Sequence, residues 1–311
     1  MELSVLIPVY NQDLSLLADM LRESIIQAGV EAEIILMDDD SEPQWKQKNE
    51  KLSSRDALRY IKLPQNVGRA AIRNRLAAEA RGAWLLFLDG DMELPGSDFI
   101  QKYLEHRHAP LIIGGHIYAE QPKDLRLQFH WCYGSRVESK GAGQRQKSPY
   151  RSFMTGNFMI RREIFRDIQF DENIKSYGHE DTLFGLDVMR QRLQILHIDN
   201  PTIHRGLMPL DQFLQKNRQA VKNLLQIYLK EEAMRPHLYR MTGLVSAFER
   251  LRSMGMLRAF DFWARWRAAS WARKLEKDCS GSALQHFSML KLHWFVRDYL
   301  AEHSKAKKNS H

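Results

Sequence analysis

The sequence predicts an α/β fold with a mostly parallel sheet flanked by helices, followed by an α-helical C-terminal region. Short apolar runs alternate with amphipathic helical segments over the first part of the 311 residues, which is typical of a parallel sheet covered on both faces. From about Met208 onward, apolar residues recur only with helical spacing. We therefore predict an α/β domain over residues 1–207 and a helical region over residues 208–311.

The first strands are predicted to end in polar turns at a common edge. Asp13 is expected to cap the helix that follows the first strand, and Gly29 to end it. Because the carboxyl ends of parallel strands meet at one edge of a sheet, polar groups should collect there. The four predicted strands are Leu3–Val9, Ile34–Met37, Tyr60–Leu63 and Ala83–Leu88.

The second half begins less regularly. Residues 139–149 are rich in Gly, Lys, Arg, Gln and Ser without an apolar period, which predicts a mobile loop, either a lid over a ligand or a disordered surface segment. Strands are predicted at Leu111–Gly115, Phe153–Ile160 and Leu193–Ile198, and a helix at Glu180–Arg190. Four further helices are predicted near 210–232, 236–254, 256–277 and 283–302, with a frayed end from Ser304 to His311.

The net charge of +8 is unevenly distributed. Residues 1–205 carry −2, whereas residues 206–311 carry +10, so the C-terminal region is basic. Cys132 and Cys279 are far apart and form no metal-binding pattern, which predicts no disulfide and a reducing compartment. Neither a signal peptide nor a membrane-spanning stretch is visible. These features predict a cytoplasmic protein, either free or associated with the inner face of the cell membrane.

Two acidic clusters follow predicted strands. Asp89 and Asp91 flank Gly90 directly after a buried apolar run, and such carboxylates need a compensating partner. Hard oxygen ligands suit Mg²⁺ or Mn²⁺, so a divalent cation that also carries phosphates is a natural partner. Asp38–Asp40 places three like charges side by side, which repel unless a hydrogen-bonding group or a cation engages them. The alternative in both cases is an ordinary acidic turn.

Several motifs occur in one order along the chain and together resemble family 2 glycosyltransferases of the GT-A fold. The resemblance covers about residues 1–205 and implies a nucleotide-sugar-binding half over 1–95 and an acceptor half over 96–207. The motifs are Ser4–Asn11, Asp38–Ser41, Asn66-x-Gly68 with Ile72-Arg73-Asn74, Asp89–Asp91, Thr155–Phe158 and Tyr177–Asp181.

The resemblance implies a role for each motif. Asp39 would accept the N–H of a uracil-type base, Asp181 would be the catalytic base, and Glu180 would orient the acceptor. Glu180 and Asp181 could instead simply complement the dipole of their helix. The implied donor-binding residues are Pro8, Tyr10, Asn11, Asp38, Asp39, Gly68, Arg69, Arg73, Asp89 and Gly90. The implied acceptor-side residues are Gly156, Asn157 and His179, and the implied metal ligands are Asp89, Asp91 and His204.

The leading prediction is an inverting, Mn²⁺- or Mg²⁺-dependent glycosyltransferase. It would move a sugar from a nucleotide diphosphate, UDP first, to a glycan or lipid-linked acceptor in surface polysaccharide synthesis. A sugar-phosphate nucleotidylyltransferase is a second possibility, but that class needs a glycine-rich phosphate loop where this chain has Ile7–Asn11. A third is a non-catalytic protein that binds nucleotide sugars or membrane surfaces. No nucleic-acid partner is expected, because no recognised motif accompanies the basic charge.

One apolar stripe in the C-terminal region has two open interpretations. Its residues recur at three- and four-residue steps, with Trp263, Trp266 and several cations around them. Such a helix lies on an anionic membrane or packs its stripe against the rest of the protein. The stripe consists of Leu257, Phe260, Ala264, Ala268, Trp271 and Leu275.

Overall fold

The structure is a computed structural model that describes residues 1–173, 178–230, 232–276 and 279–308. The chain forms two compact units. Unit 1 contains the described residues of Met1–Ala119, Gly134–Lys175 and Glu180–Gly206. Unit 2 contains those of Glu120–Tyr133, Ser176–His179 and Leu207–His311. Tyr177, part of one motif named above, lies outside the described residues.

Unit 1 is built on a seven-stranded, mostly parallel sheet in the order β3-β2-β1-β4-β8-β6-β9. Only β8 runs antiparallel to its neighbours, β4 and β6. A second sheet joins three short strands in the order β5-β10-β7. The strands are β1 Leu3–Val9, β2 Ala32–Asp38, β3 Leu58–Lys62, β4 Trp84–Leu88, β5 Met92–Glu93, β6 Leu111–Ile113, β7 His116–Tyr118, β8 Asn157–Arg161, β9 Ile195–His197 and β10 Thr202–His204.

Helices cover both faces of the large sheet. Alternate residues of β1 point to opposite faces, so that Val5 and Ile7 pack with α1 and α4 while Leu6 packs with α3. The fold class predicted from the sequence is therefore confirmed. The helices of unit 1 are α1 Ser15–Ala28, α2 Pro43–Glu50, α3 Arg69–Glu79, α4 Phe99–Leu104, α6 Ala142–Gln146, α7 Arg162–Asp167 and α8 Glu180–Arg190; α5 Leu125–Tyr133 belongs to unit 2.

The first helix begins differently from the prediction. Leu14 occupies the position before α1, while Asp13 lies one residue earlier and accepts hydrogen bonds from the Ser15 amide (3.0 Å) and hydroxyl (2.7 Å). Gly29 ends the helix in the left-handed conformation with φ of 60°, as predicted.

The predicted mobile loop at 139–149 is wrong, because part of it is the packed helix α6. Arg145 is buried, and its guanidinium donates to the carbonyl oxygens of Gly114 (2.8 Å) and Ile198 (2.7 Å). Its Nε–H donates to His197 Nδ1 at 3.2 Å. One buried arginine thus anchors a segment whose composition is polar, and neither a lid nor a disordered surface segment is formed there.

Unit 2 is helical in its described residues. The stripe of α12 is half-buried at Ala268 and buried at its other residues, with α13 as the main neighbour, so the intramolecular interpretation of the stripe is correct. The predicted helix at 236–254 is divided at Thr242, whose hydroxyl caps α11 by accepting from the Val245 amide at 3.2 Å. Helix α13 continues to Lys308, so the prediction of fraying from Ser304 is wrong over that span. The helices are α9 Leu210–Lys230, α10 Arg235–Met241, α11 Gly243–Ser253, α12 Leu257–Leu275 and α13 Gly281–Lys308.

Unit 2 contains a disulfide between Cys132 and Cys279, with 5.7 Å between their Cα atoms. The prediction of no disulfide is therefore wrong, and the inference of a reducing compartment loses its basis. The pairing could not be predicted from the sequence, because the two cysteines are separated by 147 positions in the chain and only the helical packing brings them together. No helix in the described part of the chain is both long and apolar enough to cross a bilayer.

We predict that Cys132→Ser lowers the free energy of unfolding by about 2–4 kcal/mol, because the unfolded chain is no longer closed into a loop. Thermal unfolding without reductant measures the change. Wild-type protein in reductant is the control and should match the variant. Two free thiols titrated in denatured, unreduced wild-type protein would contradict the pairing.

Candidate active site

The centre of the candidate site is an ion pair between Arg73 on α3 and Asp89 at the end of β4. Arg73 is buried, and its Nη2 group binds Asp89 Oδ1 while Nη1 donates to the Arg69 carbonyl at 3.0 Å. Burial alone would raise the pKa of Asp89, but the neighbouring guanidinium groups of Arg73 and Arg69 outweigh it and lower that pKa. Asp89 is therefore held as a carboxylate. Gly156 lies beside it, and a Cβ there would be 3.2 Å from Asp89 Oδ2.

Asp39 fixes the loop that leads into α3. Its two carboxylate oxygens accept from the amides of Val67 (2.7 Å) and Gly68 (3.1 Å), and its carbonyl accepts from Asn66 Nδ2 (2.9 Å). Gly68 precedes α3 with φ of 87°, a conformation that favours glycine. Burial raises the pKa of Asp39 despite these two amide donors.

Asp38 and Asn11 tie the neighbouring strand ends together. Asp38 is buried and accepts from the Ser41 amide (2.7 Å) and the Tyr60 hydroxyl (2.6 Å). Asn11 connects the end of β1 to the turn after β2, because its amide donates to Ser41 Oγ at 2.8 Å and its side-chain oxygen accepts from the Glu42 amide at 2.8 Å. The strand ends therefore form one hydrogen-bonded rim.

Arg69 links this rim to the predicted catalytic pair on α8. Arg69 Nη1 lies 3.3 Å from Glu180 Oε1, and Glu180 is buried. The neighbouring Asp181 has its Oδ1 held by the Thr182 amide at 2.6 Å. Burial, with a smaller contribution from the Glu180 charge, raises the pKa of Asp181 to about 6. A carboxyl with such a pKa can exchange a proton near neutral pH.

Asp91 and His204 meet because β5 and β10 pair antiparallel with His204 opposite Met92. His204 Nε2 lies 3.5 Å from Asp91 Oδ2. Gly206 packs directly on the Asp91 carboxylate, where a Cβ would collide with it. Asp91 Oδ1 is buried and has no hydrogen-bond partner among the described residues, which fits a site for a cation.

The three predicted metal ligands nevertheless do not form a cluster. Among the residues described here, no three His, Cys, Asp or Glu side chains are arranged to hold a metal ion. Arg73 binds Asp89 Oδ1, so the charge of Asp89 is balanced by an arginine. Metal ligation by Asp89, Asp91 and His204 therefore stays a prediction, and the pair of Asp91 and His204 contains the unpartnered buried oxygen.

Other predicted site residues have varied surroundings. Asn157 is buried, and its amide donates to the carbonyls of Gly115 (2.7 Å) and Asn200 (2.9 Å), so both N–H groups serve the protein rather than an acceptor. Tyr10 is exposed, as expected of a ring that stacks on a ligand, whereas Arg75 is a surface residue of α3. Three predicted site residues remain. Pro8 lies in β1 and is part-buried, and Gly90 packs against Gln12 and Leu14. His179 directly precedes α8 and has a φ of 73°.

The sequence reasoning missed some residues that shape this site. Gly206 lies two residues after His204. Its contact with Asp91 becomes evident only when the short β5–β10 pairing is known. Tyr118 and His116 surround the His204 ring with centroid distances of 5.0 and 5.8 Å. No motif marks them, because they come from β7, which pairs beside β10.

Comparison with known proteins agrees with this geometry. The profile of glycosyl transferase family 2 matches residues 4–169. The chain belongs to glycosyl transferase family 2. The family resemblance and the prediction of a glycosyltransferase enzyme are thereby confirmed, rather than that of a nucleotidylyltransferase.

The relatives of this family 2 member are distant. It is 26% identical over 235 residues to an uncharacterized glycosyltransferase, EpsJ, of Bacillus subtilis, which covers 70% of this chain and 67% of that protein. It is 28% identical to a dodecaprenyl-phosphate galacturonate synthase of Rhizobium johnstonii, over 42% of this chain and only 41% of that protein.

Solved structures share the fold of this family 2 chain. A mannosyltransferase of Pyrobaculum calidifontis, in complex with GDP-Man and Mn²⁺, superposes with a TM-score of 0.58 at 14% identity, covering 95% of this chain and 85% of its own. Residues 1–349 of S. aureus TarS, in complex with UDP, give 0.52 at 18% identity, covering 95% and 89%.

We predict that Arg73→Met destabilises the fold by about 3–5 kcal/mol, because it leaves the Asp89 carboxylate without its buried partner. Chemical denaturation measures the loss. Arg75→Met is the matched control, since Arg75 is exposed on the same helix, and it should change stability by less than about 0.5 kcal/mol. Equal effects of the two substitutions would show that the ion pair has no special role.

Proposed function

We propose that this protein transfers a sugar from a nucleotide-diphosphate donor, most simply UDP-linked, to a hydroxyl group of a glycan or lipid-linked acceptor, with inversion at the anomeric carbon. The observation that carries the proposal is the pair of opposed environments in unit 1. Asp181 has a raised pKa, and Asp89 has a lowered one. When the surroundings raise the pKa of one carboxyl and lower that of another, the first can transfer protons while the second stays charged.

Asp181 acts as the general base. Thr182 binds Asp181 Oδ1, so Oδ2 is the oxygen that takes the acceptor proton. As that proton leaves, the acceptor oxygen attacks the anomeric carbon. The bond from this carbon to the diphosphate oxygen breaks, and its electron pair stays on the diphosphate. No carboxylic acid is required on the leaving side, in contrast to a glycoside hydrolase.

The donor side is formed by α3 and the strand ends. The first amides of α3 and the guanidinium of Arg69 favour phosphate oxygens, while Asp39 and the exposed Tyr10 would contact the base. Arg73 fixes the position of the Asp89 carboxylate, because it is buried and bonded to it. Arg69 has a second duty, since it also holds Glu180 and so keeps Asp181 near the donor.

A divalent cation, Mn²⁺ or Mg²⁺, fits this arrangement. Asp91 and His204 would hold it, and the buried Oδ1 of Asp91 supports that assignment. When bound, the cation neutralises the charge that develops on the diphosphate. Two protein ligands suffice for Mg²⁺-type sites, which take further ligands from substrate phosphates and water. The mannosyltransferase that shares the fold was solved with Mn²⁺ and GDP-Man, which also favours this proposal.

We predict that transfer falls about tenfold per pH unit below pH 6. The sign follows from the raised pKa: above about 6 Asp181 is ionised and accepts a proton, whereas below it the group is already protonated. Asp181→Asn should keep UDP binding and lower transfer by about 100- to 10,000-fold. Initial rates of UDP release with acceptor present, measured across pH, test both statements. Asp187→Asn on the same helix is the control, and near-normal turnover of Asp181→Asn would remove Asp181 from this role.

We predict that Asp91→Ala weakens UDP binding in the presence of Mn²⁺ by about tenfold or more, equivalent to about 1.4 kcal/mol, and leaves metal-free binding unchanged. The loss follows from removing one of two cation ligands. Isothermal titration calorimetry with UDP, with and without Mn²⁺, measures it without any turnover. Asp98→Ala, which removes a half-exposed carboxylate paired with Lys102, is the control. An unchanged affinity of Asp91→Ala with Mn²⁺ would rule out ligation by this residue.

A further inference from the structure

Exposed apolar side chains are concentrated in one short stretch of unit 2. Twelve large hydrophobic side chains are exposed among the described residues, and five of them lie between Met254 and Trp266. Trp266 is 78% exposed and Phe262 is 68% exposed. Scattered single apolar residues are normal on protein surfaces, whereas a contiguous group marks an interaction site. The stretch therefore needs a partner.

The exposed aromatic rings lie on the side of α12 that points away from its packed stripe. Phe262 and Trp266 are one turn apart, with their ring centroids 6.4 Å from each other. Trp263 lies at the edge of this group and is half exposed, because its ring contacts that of the buried Trp271 at 5.3 Å. We call Phe262, Trp263 and Trp266 the aromatic face of α12.

Cations surround the aromatic face. The exposed cations of α12 that form no ion pair with a described residue are Arg258, Arg267, Arg273 and Lys274. Asp261 is the one carboxylate of Leu257–Leu275, and it is buried and bonded to Arg265 at 2.6 Å. Helical spacing places Arg258 and Arg273 on the same side as Phe262 and Trp266. The outward side of α12 is thus aromatic and positive, with no exposed carboxylate.

This combination matches the surface of an anionic bilayer. Trp and Phe rings favour the boundary between headgroups and acyl chains, and Arg or Lys side chains reach from there to lipid phosphates. Each cation near such a surface strengthens the attraction to anionic lipids, and this attraction falls off within a Debye length. A second copy of this chain is a poorer match, because a two-fold contact would bring the same cations against one another. Charge complementarity therefore selects the lipid surface.

We propose that the aromatic face of α12 docks on an anionic membrane, with Phe262 and Trp266 inserted among the headgroups and Arg258 and Arg273 bound to phosphates. This surface differs from the packed stripe of the same helix, which is buried inside unit 2. The proposal deepens the proposed function, on which its purpose rests, because an enzyme that uses a lipid-linked acceptor must meet it at a bilayer. Docking itself requires neither donor nor transfer.

The test is flotation of the full chain with phosphatidylcholine vesicles that contain phosphatidylglycerol. Wild-type protein should float with these vesicles, lose binding as salt is raised, and remain unbound with pure phosphatidylcholine. The double variant Phe262→Ser/Trp266→Ser should bind about tenfold more weakly or worse. Leu125→Ser, which changes another exposed apolar residue of unit 2 (73% exposed), is the matched control and should bind as wild type does. Arg258→Gln/Arg273→Gln should reduce the salt dependence.

Several outcomes would overturn the proposal. Absence of wild-type flotation, or equal flotation of the double variant, would rule out docking through this face. A second outcome is that the wild-type protein does not bind vesicles and forms dimers in analytical ultracentrifugation, whereas the double variant is monomeric. That result would assign the face to a second copy of the chain. UDP release with a water-soluble acceptor separates this proposal from the proposed function. If the wild-type protein floats but never releases UDP, docking is supported and the proposed transfer is ruled out. If the protein is active but never floats, transfer is supported and docking is ruled out.

Discussion

The buried ion pair between Arg73 and Asp89 is the contact on which the rest of the site depends. Removing two charges from water is costly unless they pair well and their remaining groups find partners. Arg73 binds Asp89 and donates to the Arg69 carbonyl, while its buried Nε has no partner among the described residues. The pair fixes the first turns of α3 against the end of β4. Gly68 is thereby held at Asp39, and Arg69 reaches Glu180. Two salt bridges, Arg73–Asp89 and Arg69–Glu180, thus connect α3 to the end of β4 and to α8.

Environment gives chemically identical carboxyl groups different properties in this site. Asp89 lies beside arginines that lower its pKa, whereas burial beside Glu180 raises that of Asp181. The Asp91 carboxylate, two residues from Asp89, forms no ion pair with a described arginine and lies beside His204. The spacing of an Asp-x-Asp motif brings the two side chains to one edge, but the neighbours decide how the charge of each is balanced.

The sequence predicted the α/β architecture and the strand-end motifs because hydrophobic periodicity and local turn chemistry report directly on them. It did not predict features that arise from tertiary contacts. A buried Arg145 orders a polar segment, and Cys132 meets Cys279 only after the helices of unit 2 pack. Asn157 lies in a motif that implied an acceptor role, yet its amide satisfies buried carbonyl groups. The pairing of His204 with Asp91 depends on strands of two and three residues, too short to carry a periodic signal.

A crystal structure of this chain with UDP and Mn²⁺ tests the central claim most directly, which is that separate carboxylates of unit 1 surround one diphosphate. The account predicts that the metal bonds to Asp91 and to the diphosphate, and that the uracil lies against Asp39. It further predicts that Arg73 remains bound to Asp89 and that Asp181 faces the sugar end of the site. Nucleotide bound away from this rim, or metal that contacts neither Asp91 nor His204, would contradict it.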